Sequence, residues 1–399
     1  MVDATPAARF RVAVIGKGLI GAAAARHLAR QVAGVALLGP DEPAVRAAHR
    51  DVFGSHYDEG RIYRILDPDP IWARLAARSI ARYAEIEAES EITFHEGVGM
   101  LATSVDGDLA RADARTGEAL GVTFERLAGA DLARRFPYLR FEAGTVGVFE
   151  PETGGHLSPR RLVAAQTAAA ERHGATVIRE PVHTVTPGAG GVELTTAAGR
   201  IVWAEQVLVA TGAFANVHAV LPRPLEIVVR GRTIVLAEVA STPLERLRPM
   251  PSLIAEGTAP LDDPYVLPPI RYPDGRWYVK LGTGVFEHPL VTLDDLGDWF
   301  RHPGASEDRE ALHQTLLALI PDLAGAPIHT DTCAVTATAS GYPYVDLLAG
   351  GRVCVAVGGN GKAAKSSDEI GRLAAELLLA GAWRDELPAE AFRARFMAG

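Results

Sequence analysis

Residues 11–42 read RVAVIGKGLIGAAAARHLARQVAGVALLGPDE. An apolar run as long as a buried parallel strand, residues 12–15, leads directly into GKGLIG at residues 16–21. An alanine-rich, helix-forming segment follows, and a second apolar run, residues 35–38, ends the unit. Strand, glycine turn, helix and strand in this order are the context in which a GxGxxG motif indicates dinucleotide binding.

The three glycines of this turn have separate physical roles. Gly16 allows the tight turn, Gly18 lets the backbone approach a pyrophosphate, and Gly21 lets the helix pack closely on the strand. The N-terminus of the helix then faces the negative charge of the ligand. A tight strand–helix turn without a nucleotide is the alternative interpretation, and this stretch alone does not distinguish FAD from NAD.

The acidic residue that usually ends the second strand and binds the ribose hydroxyls is absent. Gly39 and Pro40 stand at its place, and Asp41 and Glu42 follow one or two residues later. Either carboxylate can serve a ribose from the loop. We therefore expect Asp41 to be a cofactor contact.

Length, charge and cysteine content narrow the class of protein. The 399 residues leave room for two domains, and 48% of them are hydrophobic. A net charge of -9 argues against nucleic acid or a membrane surface as a partner, and no apolar stretch is long enough to span a bilayer. No signal peptide is visible, the only cysteines are Cys333 and Cys354, and no histidine spacing suggests a metal site. We expect a cytoplasmic monomer without disulfide bonds or a metal.

Capping patterns and apolar periodicity predict the main elements. Asp69-Pro70 and Ser158-Pro159 each combine an N-cap residue with a proline at the first helical position, and Gly174 ends the second helix. The remaining predictions are strands within residues 92–102, 176–179, 192–196, 201–210, 226–239, 264–283 and 353–357, helices at residues 292–301, 306–320 and 366–380, and short strands with turns across residues 103–150.

The end of the chain repeats the pattern of its beginning. An apolar strand at residues 353–357 is followed by GGNG at residues 358–361 and then by a predicted helix. Two such turns at opposite ends of the chain would both direct a helix N-terminus at one cofactor.

Five motifs together resemble the monomeric sarcosine oxidase and N-methyltryptophan oxidase family, a group of D-amino-acid-oxidase-like flavoproteins. They are GxGxxG at residues 16–21, GSHYDEGRIYR at residues 54–64, KLG at residues 280–282, Cys333, and GGNGKAAK at residues 358–365. The resemblance implies an α/β (α+β) fold in which a Rossmann-like FAD-binding domain carries a second, mainly antiparallel-sheet substrate domain. The limits we expect are residues 1–90, 145–216 and 330–399 for the FAD-binding domain, and residues 91–144 and 217–329 for the substrate domain.

The resemblance also implies roles for individual residues. Cys333 matches a cysteine that forms a thioether to the flavin ring, and Lys280 matches a lysine at flavin N5 that promotes the reaction with oxygen. Arg61 matches an arginine beside it, and Arg64 and Lys365 match a pair that binds the substrate carboxylate. The residues expected to contact FAD are Gly16, Gly18, Leu19, Ile20, Gly21, Asp41, Ser55, His56, Arg61, Val182, Gly212, Cys333, Gly359, Asn360, Gly361 and Lys362.

The match to this family is weaker around the substrate. Gly284 replaces a family histidine that contacts substrate, and Ala363-Ala364 replace a glycine and an aromatic residue. The aromatic residue above the flavin falls at Val266, with Tyr265 adjacent, and we expect Tyr265 to contact substrate. These departures predict a substrate other than sarcosine.

Each of these basic residues has an alternative without a catalytic role. A lysine in a strand, such as Lys280, usually lies on a solvated face. Arg61 and Arg64 are three residues apart and can form ion pairs with Asp58 and Glu59. The motifs favour the functional interpretation.

The function implied by the resemblance is FAD-dependent oxidation of the C–N bond of a secondary or N-methylated amine, or of an amino acid. The product is an imine, and O2 is reduced to H2O2. Since the flavin carries the hydride transfer, the protein has to orient the C–H bond and place cations near the ring. Three alternatives stay open, namely a flavin dehydrogenase that uses another acceptor, an NAD(P)-dependent dehydrogenase, and a flavin-binding protein without turnover.

Overall fold

The computed structural model describes residues 8–348 and 350–398. Their strands are β1 (Ala8–Ile15), β2 (Val35–Leu38), β3 (Arg61–Tyr63), β4 (His95–Glu96), β5 (Met100–Ser104), β6 (Glu125–Ala128), β7 (Val146–Glu150), β8 (Gly155–Leu157), β9 (Thr176–Ile178), β10 (Val182–Pro187), β11 (Val192–Thr196), β12 (Ile201–Val209), β13 (Ile227–Glu238), β14 (Ser252–Glu256), β15 (Pro264–Arg271), β16 (Trp277–Thr283), β17 (His288–Leu290), β18 (Ile328–Thr338), β19 (Tyr344–Leu347) and β20 (Val353–Val357). Their α-helices are α1 (Leu19–Ala29), α2 (Pro70–Ile80), α3 (Tyr83–Ser90), α4 (Asp108–Leu120), α5 (Ala130–Arg135), α6 (Pro159–Arg172), α7 (Ser241–Leu247), α8 (Leu293–Arg301), α9 (Ser306–Leu319) and α10 (Ala363–Ala380).

The first sheet is built around β1, whose last four residues are buried. On one side of β1 the sheet continues in parallel through β2 and β9, and on the other side through β12 and β20. β10 and β11 extend it with antiparallel pairs along the first half of β12, and β19 pairs antiparallel with β20. The parallel centre of this sheet confirms the Rossmann-like unit predicted from residues 11–42.

Four helices, α1, α2, α6 and α10, pack together beside this sheet. The contact between α1 and α10 is close because the facing side chains are small. A Cβ on Gly371 of α10 would lie only 2.6 Å from the backbone nitrogen of Ala24 in α1. The alanine-rich segment after the glycine turn therefore lets the two helices pack in close contact.

The second sheet has the strand order β17-β13-β16-β15-β14-β5-β7-β6, with β18 also paired to β13. Its pairs are antiparallel except that between β5 and β14. This confirms the mainly antiparallel second sheet expected from the sequence. β18 belongs to this sheet and β20 to the first, so the chain crosses between the sheets just before the second glycine turn. The domain limits themselves remain a prediction.

Helix starts at proline were predicted correctly. The Asp69 side chain accepts hydrogen bonds from two backbone N–H groups of α2, and the Ser158 side chain accepts one from Arg161 of α6. The prediction of strands and turns for residues 103–150 was wrong in part, because α4 occupies thirteen of them. Gly107 starts α4 without a side-chain cap and Asp113 lies on its buried face, so neither the capping nor the apolar pattern reveals this helix.

Smaller differences concern where elements break. The strand prediction for residues 92–102 resolves into the separate strands β4 and β5, and α10 begins three residues earlier than predicted. No helix in the described part of the chain combines the length and apolar character needed to cross a bilayer.

Candidate active site

A cavity of about 620 Å³ runs between the two sheets and is bordered by both glycine turns. Its volume lies in the range of cofactor and small-molecule sites. Most of the predicted site residues line it, namely Gly16, Gly18, Leu19, Ile20, Ser55, His56, Arg61, Arg64, Val182, Gly212, Tyr265, Cys333, Gly359, Asn360, Gly361, Lys362 and Lys365. Gly21, Asp41 and Lys280 do not line the cavity.

The first glycine turn has the steric properties predicted for it. Gly16 has φ +106°, and a Cβ on it would lie 2.3 Å from the carbonyl oxygen of Ala210. A Cβ on Gly21 would lie 1.8 Å from the carbonyl oxygen of Gly16, so Gly21 shapes the turn from behind the cavity. A Cβ on Gly18 would meet nothing closer than His56 Nδ1 at 4.0 Å. The space beside Gly18 is thus open to a ligand.

Two helix N-termini open into the cavity without side-chain caps. Gly18 precedes α1 and has no side chain, and Lys362 precedes α10 with an ammonium group that cannot accept a hydrogen bond. Asn360 has φ +48°, and its side chain accepts a hydrogen bond of 2.9 Å from the backbone N–H of Thr338 in β18. This hydrogen bond fixes the second glycine turn to the second sheet. The first backbone N–H groups of α1 and α10 lack side-chain caps and are available to anionic groups of one ligand.

Two residues expected near the nucleotide border the cavity, one of them beside Gly18. His56 and Val182 line it, and burial together with the nearby Lys17 ammonium lowers the pKa of His56 to about 3. Asp41 does not line the cavity, and its carboxylate pairs with Lys17 at 2.7 Å and with Arg179 at 3.2 Å. The geometry therefore leaves the expected contact of Asp41 with a ribose as a prediction.

Cys333 and Tyr265 face the cavity from the second sheet. Cys333 lies in β18 with a buried side chain, whereas Cys354, the other cysteine, is enclosed in the core of the first sheet. Burial raises the pKa of the Cys354 thiol. In β15, strand alternation directs Tyr265 to the cavity and Val266 into the opposite core. Tyr265, and not Val266, thus presents its side chain to the cavity.

Lys280 is fully buried, which excludes the solvated face considered for it. Its ammonium pairs with the carboxylate of Asp58 and donates a hydrogen bond of 2.8 Å to the carbonyl oxygen of Gly60. Asp58 also pairs with Arg61, and it accepts a hydrogen bond of 2.9 Å from the hydroxyl of Tyr272. Burial lowers the pKa of Lys280 well below its usual value, and the Arg61 charge lowers it further. Lys280 thus shares the carboxylate of Asp58 with Arg61, which lines the cavity, whereas Lys280 does not.

Arg64 and Lys365, expected to hold a substrate carboxylate, are engaged by acidic residues of the protein. Arg64 Nη1 donates to Asp113 at 2.9 Å, and Lys365 Nζ donates to Asp67 at 2.8 Å. The other carboxylate oxygen of Asp67 accepts a hydrogen bond of 2.7 Å from Lys362 Nζ. Burial would raise the pKa of Asp67, but the cations Lys365, Arg64 and Lys362 hold it well below its usual range.

Asp58, Asp67 and Asp113 were not predicted as site residues. Asp58 was considered only as an ion-pair partner of Arg61 and Arg64, and Asp113 lies on the helix that was not predicted. Asp67 stands in LDPDP at residues 66–70. This proline and aspartate pattern indicates a helix start, and it does not indicate that Asp67 binds Lys362 and Lys365. Only Asp58 and Asp67 stand three residues from an arginine, Arg61 and Arg64 respectively, a spacing that hints at ion pairing.

The structure also brings together Asp51, His183 and His218, with ligand atoms within 4.8 Å of one another. The two rings are stacked at 4.2 Å with an angle of 19° between their planes. Their lone pairs therefore run side by side, whereas the ligands of one metal ion have to converge on it. His218 lines the cavity, and its Nε2 is buried without a hydrogen-bond partner among the described residues.

These features fit a dinucleotide such as FAD. The cavity extends from one uncapped helix N-terminus to the other, and open space lies beside Gly18, where a pyrophosphate would approach. Two buried atoms without partners among the described residues, Thr211 Oγ1 and His218 Nε2, belong to side chains that line the cavity. A ligand with several polar groups would satisfy these atoms.

Comparison with known proteins gives a consistent result. The family described as FAD dependent oxidoreductase (DAO) matches residues 11–377. Over 220 residues the chain is 30% identical to a monomeric sarcosine oxidase of Streptomyces avermitilis, and this match covers 51% of the chain and 54% of that protein. Over 389 residues it is 25% identical to a monomeric sarcosine oxidase of a Bacillus species, with 93% of both proteins covered.

The match thus spans about half the length of the Streptomyces relative. Among solved structures, NikD, described as an unusual amino acid oxidase essential for nikkomycin biosynthesis, superposes with a TM-score of 0.76 at 21% identity. The superposition covers 98% of each chain. At this identity the likeness to NikD shows the fold.

Proposed function

Because the chain belongs to the DAO family of FAD dependent oxidoreductases, we propose that it binds FAD in the cavity between its two sheets and oxidises the C–N bond of an amine. The substrate is a secondary or N-methylated amine, or an amino acid, other than sarcosine. The product is an imine, which hydrolyses to a carbonyl compound, and O2 accepts the electrons to give H2O2. When bound, the flavin supplies the acceptor for the hydride of the carbon next to nitrogen.

The observation that carries this proposal is the convergence of distant residues at one end of the cavity. Arg61, Tyr265 and Cys333 line the cavity together, although they come from three separate parts of the chain. Lys280 Nζ lies 5.8 Å from the centre of the Tyr265 ring, directly behind them. A nucleotide-binding half and a cluster of cations at the other end are what a flavin oxidoreductase requires.

The residues of this end have distinct tasks in the proposed reaction. The Tyr265 ring and the apolar side chains of Leu109 and Ile254 also line the cavity and can orient the substrate against one wall. Arg61 and Lys280 supply positive charge that favours the reduced, anionic state of a neighbouring ring system. The surrounding core excludes water, which strengthens these interactions.

We further propose that the flavin is attached through Cys333. Its side chain lines the cavity near Arg61 and Tyr265, whereas Cys354 is remote in the core. Burial raises the pKa of Tyr265, and the neighbouring Cys333 raises it further, which reflects how close these two side chains are.

A second function is favoured by one specific contact. The Lys280 ammonium is neutralised by Asp58 and does not line the cavity, so its charge is less available to a reaction with O2. A flavin dehydrogenase that passes electrons to another acceptor would suit this arrangement. Monomeric state and cytoplasmic location remain predictions of the sequence.

The experiment that tests the proposed function begins with purification from a flavin-replete host. The protein is expected to be yellow, and mixing it without air with a panel of N-methylated amines and amino acids should bleach the flavin. Re-admitting air separates the two functions, because rapid recovery of colour with H2O2 release indicates an oxidase and slow recovery a dehydrogenase. Colourless protein, or a flavin that no amine reduces, would refute the proposal.

A further inference from the structure

The cations expected to receive a substrate carboxylate already surround a carboxylate of the protein. Asp67 Oδ2 lies 2.8 Å from Lys365 Nζ and 3.9 Å from Arg64 Nη2. Asp67 Oδ1 lies 2.7 Å from Lys362 Nζ, and it accepts a hydrogen bond of 3.1 Å from the backbone N–H of Asp69. Among the described residues, Arg64, Lys362 and Lys365 therefore all have Asp67 as a neighbour. Arg61 and Arg232 also line the cavity and do not pair with Asp67.

The side chain of Asp67 is enclosed by its neighbours. Its side chain is fully buried, and Asp69, two residues later, caps α2 with its side chain. The second contact of Arg64 is also occupied, because Asp113 binds Nη1 at 2.9 Å. A substrate carboxylate at this place would be an additional anion beside Asp67, and two carboxylates that share one group of cations repel each other.

The open part of the same end carries further negative charge. Glu256 and Asp263 line the cavity, and neither side chain forms an ion pair within the described part of the chain. Both residues are exposed at the margin of the cavity, yet partial desolvation raises the pKa of both carboxyl groups. Asp263 raises the pKa of Glu256 further, and Asp262 raises that of Asp263 while Arg64 partly opposes the shift. A cationic group would stabilise both carboxylates, whereas a second anion would not.

We propose that Asp67 is the residue that excludes carboxylates, so that the substrates are amines without a carboxylate on the reacting carbon, and that Glu256 and Asp263 face the cationic end of the substrate. This inference rests on the proposed function, whose substrate class it narrows. It departs from the carboxylate-binding role expected for Arg64 and Lys365, which instead hold Asp67 in place. Asp67 is a positioning and specificity residue.

The first test compares two substrates that differ only by the carboxylate, N-methylphenethylamine and N-methyl-L-phenylalanine. The rate of anaerobic flavin reduction is measured for both over a range of concentrations. We expect the amine to have a kcat/KM at least about tenfold higher, which is the effect of one unfavourable charge contact. A preference for the amino acid would overturn the inference and leave the proposed function intact, whereas a flavin that neither compound reduces points against the proposed function.

The second test does not depend on turnover. Benzoate is titrated into the holoenzyme and into the variant Asp67→Asn, and binding is followed by the perturbation of the flavin absorbance. Asn keeps the shape of the side chain but removes its charge, so the variant should bind benzoate at least about tenfold more tightly. Asp106→Asn, at an exposed position, is the matched control and should bind benzoate as the wild type does.

Three results of the titration are informative. Tight benzoate binding by Asp67→Asn alone supports the inference. Equal benzoate affinity in the wild type and Asp67→Asn overturns it, because Asp67 then does not exclude carboxylates. Equal gains in Asp67→Asn and Asp106→Asn also overturn it, because the effect is then one of net charge.

Discussion

The ammonium group of Lys280 is fully buried against the carboxylate of Asp58, two residues whose positions in the sequence differ by 222. Asp58 also pairs with Arg61, which lines the cavity. One carboxylate thus sits between the two cations that the proposed reaction requires. The balance of these three charges is expected to set how fast O2 reoxidises the enzyme.

Replacing Lys280 by Met is expected to slow reoxidation by O2 by about tenfold to a hundredfold while flavin reduction by substrate changes less than about threefold. The reason is that Lys280 itself does not line the cavity left for substrate, whereas its charge acts through Asp58 on Arg61, which does. Stopped-flow measurement of both half-reactions checks this. Arg276→Met, at an exposed position of the adjoining hairpin, is the control, and unchanged oxygen kinetics in Lys280→Met would remove this residue from the mechanism.

Replacing Asp58 by Asn is expected to act in the opposite direction on O2. Without the carboxylate, the charge of Arg61, whose guanidinium stays protonated, is no longer neutralised, so the ratio of O2 to artificial-acceptor rates should rise by about tenfold. The same change leaves a buried cation without its partner and should cost about 3 to 5 kcal/mol of the free energy of unfolding. Denaturant unfolding and steady-state rates with both acceptors measure these effects. A fall in the O2 rate of folded protein contradicts the prediction.

Replacing Cys333 by Ala is expected to leave a flavin that acid precipitation releases into the supernatant. The wild type should give a yellow pellet, and its peptide that contains Cys333 should carry the mass of a flavin. The chain provides its own control in Cys354→Ala, because this buried cysteine lies in the core of the first sheet. Flavin that remains attached to Cys333→Ala shows that the linkage lies elsewhere.

Substitution of Gly18 and of Gly21 by alanine should affect different properties, FAD affinity in the first case and stability in the second. A Cβ at residue 18 has open space around it, so Gly18→Ala should fold normally and bind FAD about tenfold more weakly or worse. A Cβ at residue 21 would lie 1.8 Å from a backbone oxygen, so Gly21→Ala should lose roughly 1 to 3 kcal/mol or more of stability. FAD titration and thermal unfolding of the apoprotein measure both quantities. Normal FAD affinity in Gly18→Ala would argue against the predicted pyrophosphate position.

Asp368 is expected to make the stability of the protein sensitive to acid. It is fully buried in α10 and accepts hydrogen bonds from His27 at 3.0 Å, Gln166 at 2.8 Å and Arg82 at 2.5 Å. Burial would raise the pKa of Asp368, but the hydrogen bond and the charge of His27, together with Arg82, lower it well below its usual value. A lowered pKa means that this stabilisation is present above about pH 4, the unfolded value, and is lost as the pH falls below it.

Asp368→Asn should therefore lose about 3 to 5 kcal/mol at neutral pH, and its thermal midpoint should approach that of the wild type as the pH is lowered toward about 3. Thermal unfolding across this pH range provides the measurement. Asp131→Asn, which removes an exposed ion pair with Arg134, should change stability by less than about 1 kcal/mol at every pH. A constant difference between Asp368→Asn and the wild type would contradict the assigned pKa shift.

The amino-acid sequence by itself determined the parts of the protein whose structure depends on residues close together in the chain. The strand, glycine turn and helix of residues 11–42, the proline-started helices and the second glycine turn follow local rules of chain geometry and capping. Most of the predicted site residues line the cavity, because they lie on those turns or in the motif blocks that resemble the family.

Only the tertiary structure decided which charges neutralise one another. Asp67 meets Lys365 and Lys362, Asp113 meets Arg64, and Asp58 meets Lys280 because the sheets and helices bring distant segments together. Such pairings depend on distance and burial in three dimensions, and no local pattern records them. The sequence therefore indicated that cations surround the cofactor site, and the fold determined that several of them are already bound to carboxylates of the protein.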